Sequence, residues 1–241
     1  VVMQTPHAFM QQQVKGCLVL IGVLSLPVWV AMYALTLLPV LRSQTLWLFV
    51  LITLLETIAA SWLSGLMNLI WPHITRAQAA QWGCTAYGLL LGFGIYHAQA
   101  FVGSRERYPR LHRWLHWGAL AWWMMLLTCL AWWPSHLKGI LLLVGSLHAL
   151  VLGMISLYHH RQQPSLPNGL FVWVWVVYLV GMAVYALFRY LEWPLIITLG
   201  THVVQGTVVT LLMGWSACLR LIREREQWRR QVDLSRWRHR W

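Results

Sequence analysis

Long apolar stretches alternate with short polar turns along most of this chain. Seven such stretches lie between residues 16 and 219, and they contain very few charged side chains. A helix of about 20 apolar residues crosses the ~30 Å hydrocarbon layer of a bilayer. The pattern therefore predicts an all-α, polytopic membrane protein built as a seven-transmembrane helix bundle. The predicted spans cover residues 16–40, 46–70, 83–102, 114–133, 137–158, 169–188 and 195–219.

The polar ends of the chain predict two flanking segments. Residues 1–14 lack helical apolar periodicity and are interpreted as a linker from a preceding extracytoplasmic sensory domain. Residues 15–220 form the seven-transmembrane domain. Residues 221–241 are interpreted as a cytoplasmic signalling helix, or as the linker to an output domain.

The basic residues predict the orientation of the bundle in the membrane. Fourteen of the 18 lie in the tail or in loops on its side of the membrane, and four lie on the other side. Because cytoplasmic loops are enriched in Lys and Arg, the N-terminus is expected outside and the C-terminus in the cytoplasm. The net charge of +12 does not indicate nucleic-acid binding, since these residues are spread over short loops and the tail.

The last span is expected to carry a signal outward. Gly206, Thr210 and Gly214 recur every four residues and predict a small-residue face for close helix packing. No Gly or Pro interrupts the chain beyond Arg220, so the helix is expected to leave the bilayer unbroken. Further along the tail, an apolar seam predicts a homodimer that pairs through this helix. The signal-relay residues are Arg220, Leu221, Trp228 and Val232. The alternative is that the tail arginines hold the chain at anionic lipid head groups.

Glu56 lies near the middle of the second predicted span. An unpaired charge at that depth costs at least ~2.5 kcal/mol, so Glu56 is expected to face the bundle interior. Polar residues at three- and four-residue spacing share its side of the helix. They are Thr53, Thr57, Ser61, Ser64 and Asn68.

Polar residues in other spans are expected to join Glu56 in an intramembrane cluster. His148 and Gln205 lie at about the same depth, and His202 lies in the same span as Gln205. One interpretation is a switch that responds to an unidentified small ligand or to a proton. The other is a set of interhelical hydrogen bonds that only fixes packing.

No motif predicts a catalytic residue, a metal site or a cofactor. His97, His148 and His202 lie at different depths, which argues against a haem held between two helices. Retinal needs an intramembrane lysine, whereas Lys15 and Lys138 lie at span ends. The cysteines have no CxxC partner, and no HExxH or GxSxG motif is present.

Three short motifs give the chain a resemblance to a known family. They are Leu69-Ile70-Trp71-Pro72 after the second span, Tyr108-Pro109-Arg110-Leu111 after the third, and Gln205-Gly206 followed by Arg220 in the last. With these motifs, residues 8–230 resemble the membrane core of the bacterial seven-transmembrane receptors with diverse intracellular signalling modules.

The resemblance implies a place and a role for the chain. It implies the bacterial inner membrane, a sensory domain before the core, and a cytoplasmic output such as a histidine kinase or a diguanylate cyclase. Members often carry a carboxylate shortly after the glycine of the last span, whereas residues 206–210 contain none. The main alternative to a receptor is a small-solute transporter or a membrane scaffold subunit, because such bundles also contain a few buried polar groups.

Overall fold

The computed structural model describes residues 6–64, 66–132, 136–192 and 195–238, and within these ranges the chain is helical and contains no strand. The helices are α1 (Pro6–Leu41), α2 (Gln44–Leu63), α3 (Met67–Ile70), α4 (Arg76–Val102), α5 (Ser104–Arg107), α6 (Pro109–Trp132), α7 (Leu137–Gln162), α8 (Leu166–Tyr190) and α9 (Leu195–Arg238). The all-α prediction is therefore confirmed for the described part of the chain.

Six of the described helices are long and apolar enough to cross a membrane, which indicates a multi-pass membrane protein. The candidate spans are Ile21–Leu41, Gln44–Leu63, Pro109–Trp132, Gly139–Gln162, Leu166–Phe188 and Val203–Gln227. The third predicted span lies in α4, which is 27 residues long but less apolar than these six. Tyr87, Tyr96, His97 and Gln99 lower its hydropathy. The number of seven spans is therefore not confirmed.

The helix α4 lies inside the bundle, where it packs against α2, α6 and α7. Its neighbours supply much of the hydrophobic core, including Phe49, Leu126 and Leu152, which are almost fully buried. Large apolar side chains such as Trp117 and Leu143 are exposed on the outer surface. Because apolar residues cover the outside of the bundle, lipid is its natural surrounding.

Local sequence signals set the ends of α4. Thr75 and Gln78 form a capping box at its start. Gly103 ends the helix in the left-handed conformation with φ 63°, which glycine adopts at no steric cost. The loop expected at residues 103–110 contains the short helix α5, and Pro109 then opens α6, since proline is tolerated in the first turn of a helix.

Two expected boundaries differ from the structure. The helix α1 already begins at Pro6, so the described part of the predicted linker is helical rather than irregular. The second predicted span is divided into α2, which ends at Leu63, and the four-residue helix α3. Ser64 caps α2 through its backbone N–H, and Gly65, which follows it in the sequence, has low helix propensity.

The helix α9 is continuous over 44 residues, and it packs against α8, α1 and α2. Its first part lies in the bundle, whereas residues 222–227 are exposed. A single helix thus joins the bundle interior to a polar segment outside it.

Candidate functional site

Glu56 contacts α9 at the small-residue face predicted from the sequence. Its Oε2 accepts a hydrogen bond from the Thr210 hydroxyl, and its Oε1 lies against Gly206. A Cβ atom at Gly206 would lie 1.9 Å from Oε1, so the glycine leaves the space that the carboxylate occupies. Further along the same face, a Cβ at Gly214 would lie 2.8 Å from the ring of Phe49 in α2. The close packing therefore joins α9 to α2.

The other hydroxyl groups beside Glu56 on α2 bond back to their own helix. Thr53, Thr57 and Ser61 each donate to a carbonyl oxygen four residues earlier, at 2.9, 2.9 and 2.7 Å. Ser64 donates to the carbonyl of Ser61 at 3.2 Å. These bonds satisfy the hydroxyl hydrogens inside α2, and they leave oxygen lone pairs available to other groups.

A cavity of about 60 Å³ lies beside Glu56, between α1, α2, α4, α7, α8 and α9. Its walls are mainly apolar, with polar atoms contributed from several helices. The described polar and aromatic lining residues are Glu56, Thr57, Tyr87, His148, Trp175, Tyr178, Gln205, Thr207 and Thr210. The cavity brings together Glu56, His148 and Gln205, which lie in three different predicted spans.

Gln205 and a pair of tyrosines hold α8 to its neighbours at the cavity. The Gln205 amide donates from Nε2 to the Tyr178 carbonyl at 2.8 Å, while its Oε1 is buried without a partner. A Cβ at Gly181 would lie 2.1 Å from Gln205 Cδ, so this glycine makes room for the amide. The hydroxyl groups of Tyr87 and Tyr178 are hydrogen-bonded to each other, and Tyr87 also contacts Met182 Sδ at 3.7 Å.

The histidines do not form one group. His148 lines the cavity, lies 5.5 Å from Trp122 between ring centroids, and has no hydrogen-bond partner on its buried Nε2. His97 belongs to a different part of the bundle, where its ring lies 5.7 Å from that of Phe171. The side chain of His202 lies outside the described residues.

A second group of residues surrounds Arg220 where α9 leaves the bundle, and we call it the exit cluster: Arg220, Glu224, His97, Phe101 and Phe171. The Arg220 guanidinium lies 4.9 Å from the centre of the Phe101 ring, and its Nε donates to Glu224 Oε1 at 2.7 Å. Phe101 and Phe171 stack at 4.0 Å and are almost fully buried. The buried imidazole of His97 stacks on Phe101 at 6.3 Å.

The remaining relay residues are only partly described. Leu221 packs against the hydrophobic core of its own bundle, which limits how much of it a second copy could cover. The side chains of Trp228 and Val232 lie outside the described residues, so the proposed dimer seam stays a prediction.

The aromatic members of both groups were not identified from the sequence. Tyr87, Tyr178, Phe101 and Phe171 lie in runs where an aromatic residue also fits an ordinary core position. One feature of the sequence could have indicated the tyrosine pair. Tyr87 and Tyr178 both lie within a predicted span, and a buried tyrosine hydroxyl normally has a hydrogen-bond partner.

No described group of three or more His, Cys, Asp or Glu side chains is arranged to hold a metal ion. Comparisons with family models, curated proteins and solved structures find nothing that matches this chain. Its function must therefore be inferred from its own residues.

Proposed function

We propose that this chain is the membrane core of a bacterial receptor that relays a signal to a cytoplasmic output module. In this proposal α4 also crosses the inner membrane, as the third of seven spans. The N-terminus lies outside, and the C-terminus lies in the cytoplasm. The output is a histidine kinase or a diguanylate cyclase, as the family resemblance implies. Two copies pair through the exposed end of α9.

The observation that carries the proposal is the course of α9. One face of this helix contacts Glu56 and the cavity through Gly206 and Thr210, and the same helix continues to Arg238 without a break. A shift of α9 at the cavity is therefore transmitted along a rigid element to the exposed segment. Bound ligands act on such an element by favouring one of its positions.

The orientation is tested by cysteine labelling of single-cysteine variants in intact and permeabilised cells. Ser104→Cys should react only after permeabilisation, because the basic loop around it is expected in the cytoplasm. Ser135→Cys should react in intact cells. The reverse pattern would contradict the orientation, and labelling of both positions from one side would mean that α6 does not cross the membrane.

Relay through α9 is tested with a reporter output domain fused after Trp241. One to four residues inserted after Arg225 rotate everything beyond the insertion by about 100° each. If α9 conveys the signal, the output should rise and fall with helical phase across the series. The control series adds the same residues after His73, in an exposed turn, and should leave the output unchanged. Equal output from all four α9 insertions would refute the relay.

A small-solute transporter is the second candidate, and the cavity between six helices favours it. Transporters place buried polar groups at substrate sites near the membrane midplane. Solute uptake into proteoliposomes, lost in Glu56→Leu, would support this candidate over the receptor.

A further inference from the structure

The polar atoms at the cavity are mostly oxygen atoms whose hydrogens are already in use. The hydroxyls of Thr57 and Thr207 donate to carbonyls of their own helices at 2.9 and 3.0 Å, and Thr210 donates to Glu56. The hydroxyls of Tyr87 and Tyr178 are hydrogen-bonded to each other. The threonine hydroxyls therefore present oxygen lone pairs, rather than free donors, to the cavity.

The lining also has an unbalanced charge. Glu56 is an acid, and none of the described lining residues is Lys or Arg. A carboxylate in a low-dielectric interior needs a positive partner, a proton or hydration. The amide oxygen of Gln205, a residue that is 7% exposed, also lacks a partner. The one base among the described lining residues is the His148 imidazole, whose buried Nε2 has no hydrogen-bond partner. A carboxylate that is not paired with a base and an unpartnered buried oxygen therefore indicate a cation.

The charge and the volume limit which cation fits. One carboxylate balances one positive charge, and a divalent ion would leave an excess charge in the interior. A volume of about 60 Å³ exceeds the roughly 10–15 Å³ that one water molecule requires, so a small metal cation and a few water molecules fit. Hard metal cations bind to carboxylate, hydroxyl, carbonyl and water oxygens, which this cavity supplies.

We propose that the cavity beside Glu56 binds a monovalent metal cation of the size of sodium, with Glu56 as its charge partner and neighbouring hydroxyl and amide oxygens as ligands. Trp175, whose buried indole Nε1 has no partner, donates to a water molecule that accompanies the ion. The site does not depend on the receptor function, because a receptor and a transporter can both hold an ion.

The test uses the full chain purified in detergent, with sodium chloride replaced stepwise by choline chloride at constant ionic strength. A ligand that binds only the folded state raises the melting temperature, by about 5 °C or more when it exceeds its Kd about a hundredfold. We expect the melting temperature to rise with sodium and not with choline. Equal melting temperatures in the two salts would overturn the proposal, leaving a protonated Glu56 as the explanation.

Two variants test whether sodium raises the melting temperature by binding at Glu56. Glu56→Gln keeps the size of the side chain and an oxygen for Thr210 but removes the charge, so the sodium response should disappear. Glu224→Gln removes an exposed carboxylate from the exit cluster and should respond as the wild type does. A sodium response that persists in Glu56→Gln would contradict the assignment.

A direct measurement keeps the test decisive if Glu56→Gln does not fold. Radioactive sodium should bind saturably to the wild-type chain, and unlabelled sodium should displace it whereas choline should not. Absence of saturable binding would overturn the proposal. The insertion series in α9 tests relay by helical phase whether or not the cavity holds an ion, so the two proposals fail separately.

Discussion

The helix α9 takes part in two groups of side chains, one around Glu56 and the exit cluster around Arg220. The two groups are packed differently. Around Glu56 the packing is incomplete: Gly206 lies close against the carboxylate, but a cavity adjoins it. Around Arg220 the packing is dense: stacked rings lie under the guanidinium, and Glu224 pairs with it.

This difference indicates that a small ligand can enter beside Glu56, whereas the exit cluster holds α9 in place. A small ligand or ion at the cavity can alter how α9 lies against α2, because the cavity adjoins the hydrogen bond from Thr210 to Glu56. At the exit cluster, movement of Arg220 away from its position loses the contact with the buried Phe101 ring. We therefore regard the exit cluster as the fixed end of the intramembrane part of α9, and as the pivot about which the exposed segment turns when that part shifts.

The largest effect is expected at the exit cluster. Phe101 is fully buried, stacks on Phe171, and supports the Arg220 guanidinium. Phe101→Ala should lower the free energy of unfolding in detergent by about 3–5 kcal/mol, because truncating a buried aromatic residue leaves a cavity. Glu56→Gln should cost much less, since its amide still accepts from Thr210.

The matched control is Trp117→Ala on the outer surface, where Trp117 is 66% exposed. Removing it should change the unfolding free energy little, because detergent or lipid fills the space. If Phe101→Ala destabilised the chain no more than Glu56→Gln, the exit cluster would not be the fixed end.

The sequence predicted elements and faces better than it predicted contacts. Periodic polar residues placed Glu56 on an inward face, and the lack of breakers predicted the continuous α9. The small-residue face was also visible from its spacing. Each of these features depends on residues within one helix, where the helical repeat fixes which side chains share a side.

The hydrogen-bond partners on different helices could not be predicted from the helical repeat. The bond from Thr210 to Glu56 joins residues 154 positions apart, and the tyrosine pair joins residues 91 apart. These pairings depend on how α2, α4, α8 and α9 lie together, which local periodicity does not specify. For the same reason, helical periodicity could not show that Phe101 lies under Arg220.

The smaller effect concerns the charge of the exit cluster. Arg220→Gln removes the cation–π contact with the Phe101 ring, and such contacts commonly stabilise a protein by about 0.5–1 kcal/mol. It also removes the ion pair with the half-exposed Glu224, and such pairs commonly contribute about 0.2–1 kcal/mol. We expect the unfolding free energy to fall by about 1 kcal/mol. Arg223→Gln, the same change on an exposed side of α9, should have almost no effect.

Chemical unfolding of both variants in the same detergent measures this difference. The sign of the difference in unfolding free energy is informative, because the Nη1 atom of Arg220 is buried without a partner. The cost of burying this atom opposes the favourable contacts of the guanidinium. If Arg220→Gln were as stable as Arg223→Gln, the two terms would cancel, and the aromatic rings alone would hold α9 at this end. A more stable Arg220→Gln would mean that the buried guanidinium strains the exit cluster, and the fixed end would then have to be sought elsewhere along α9.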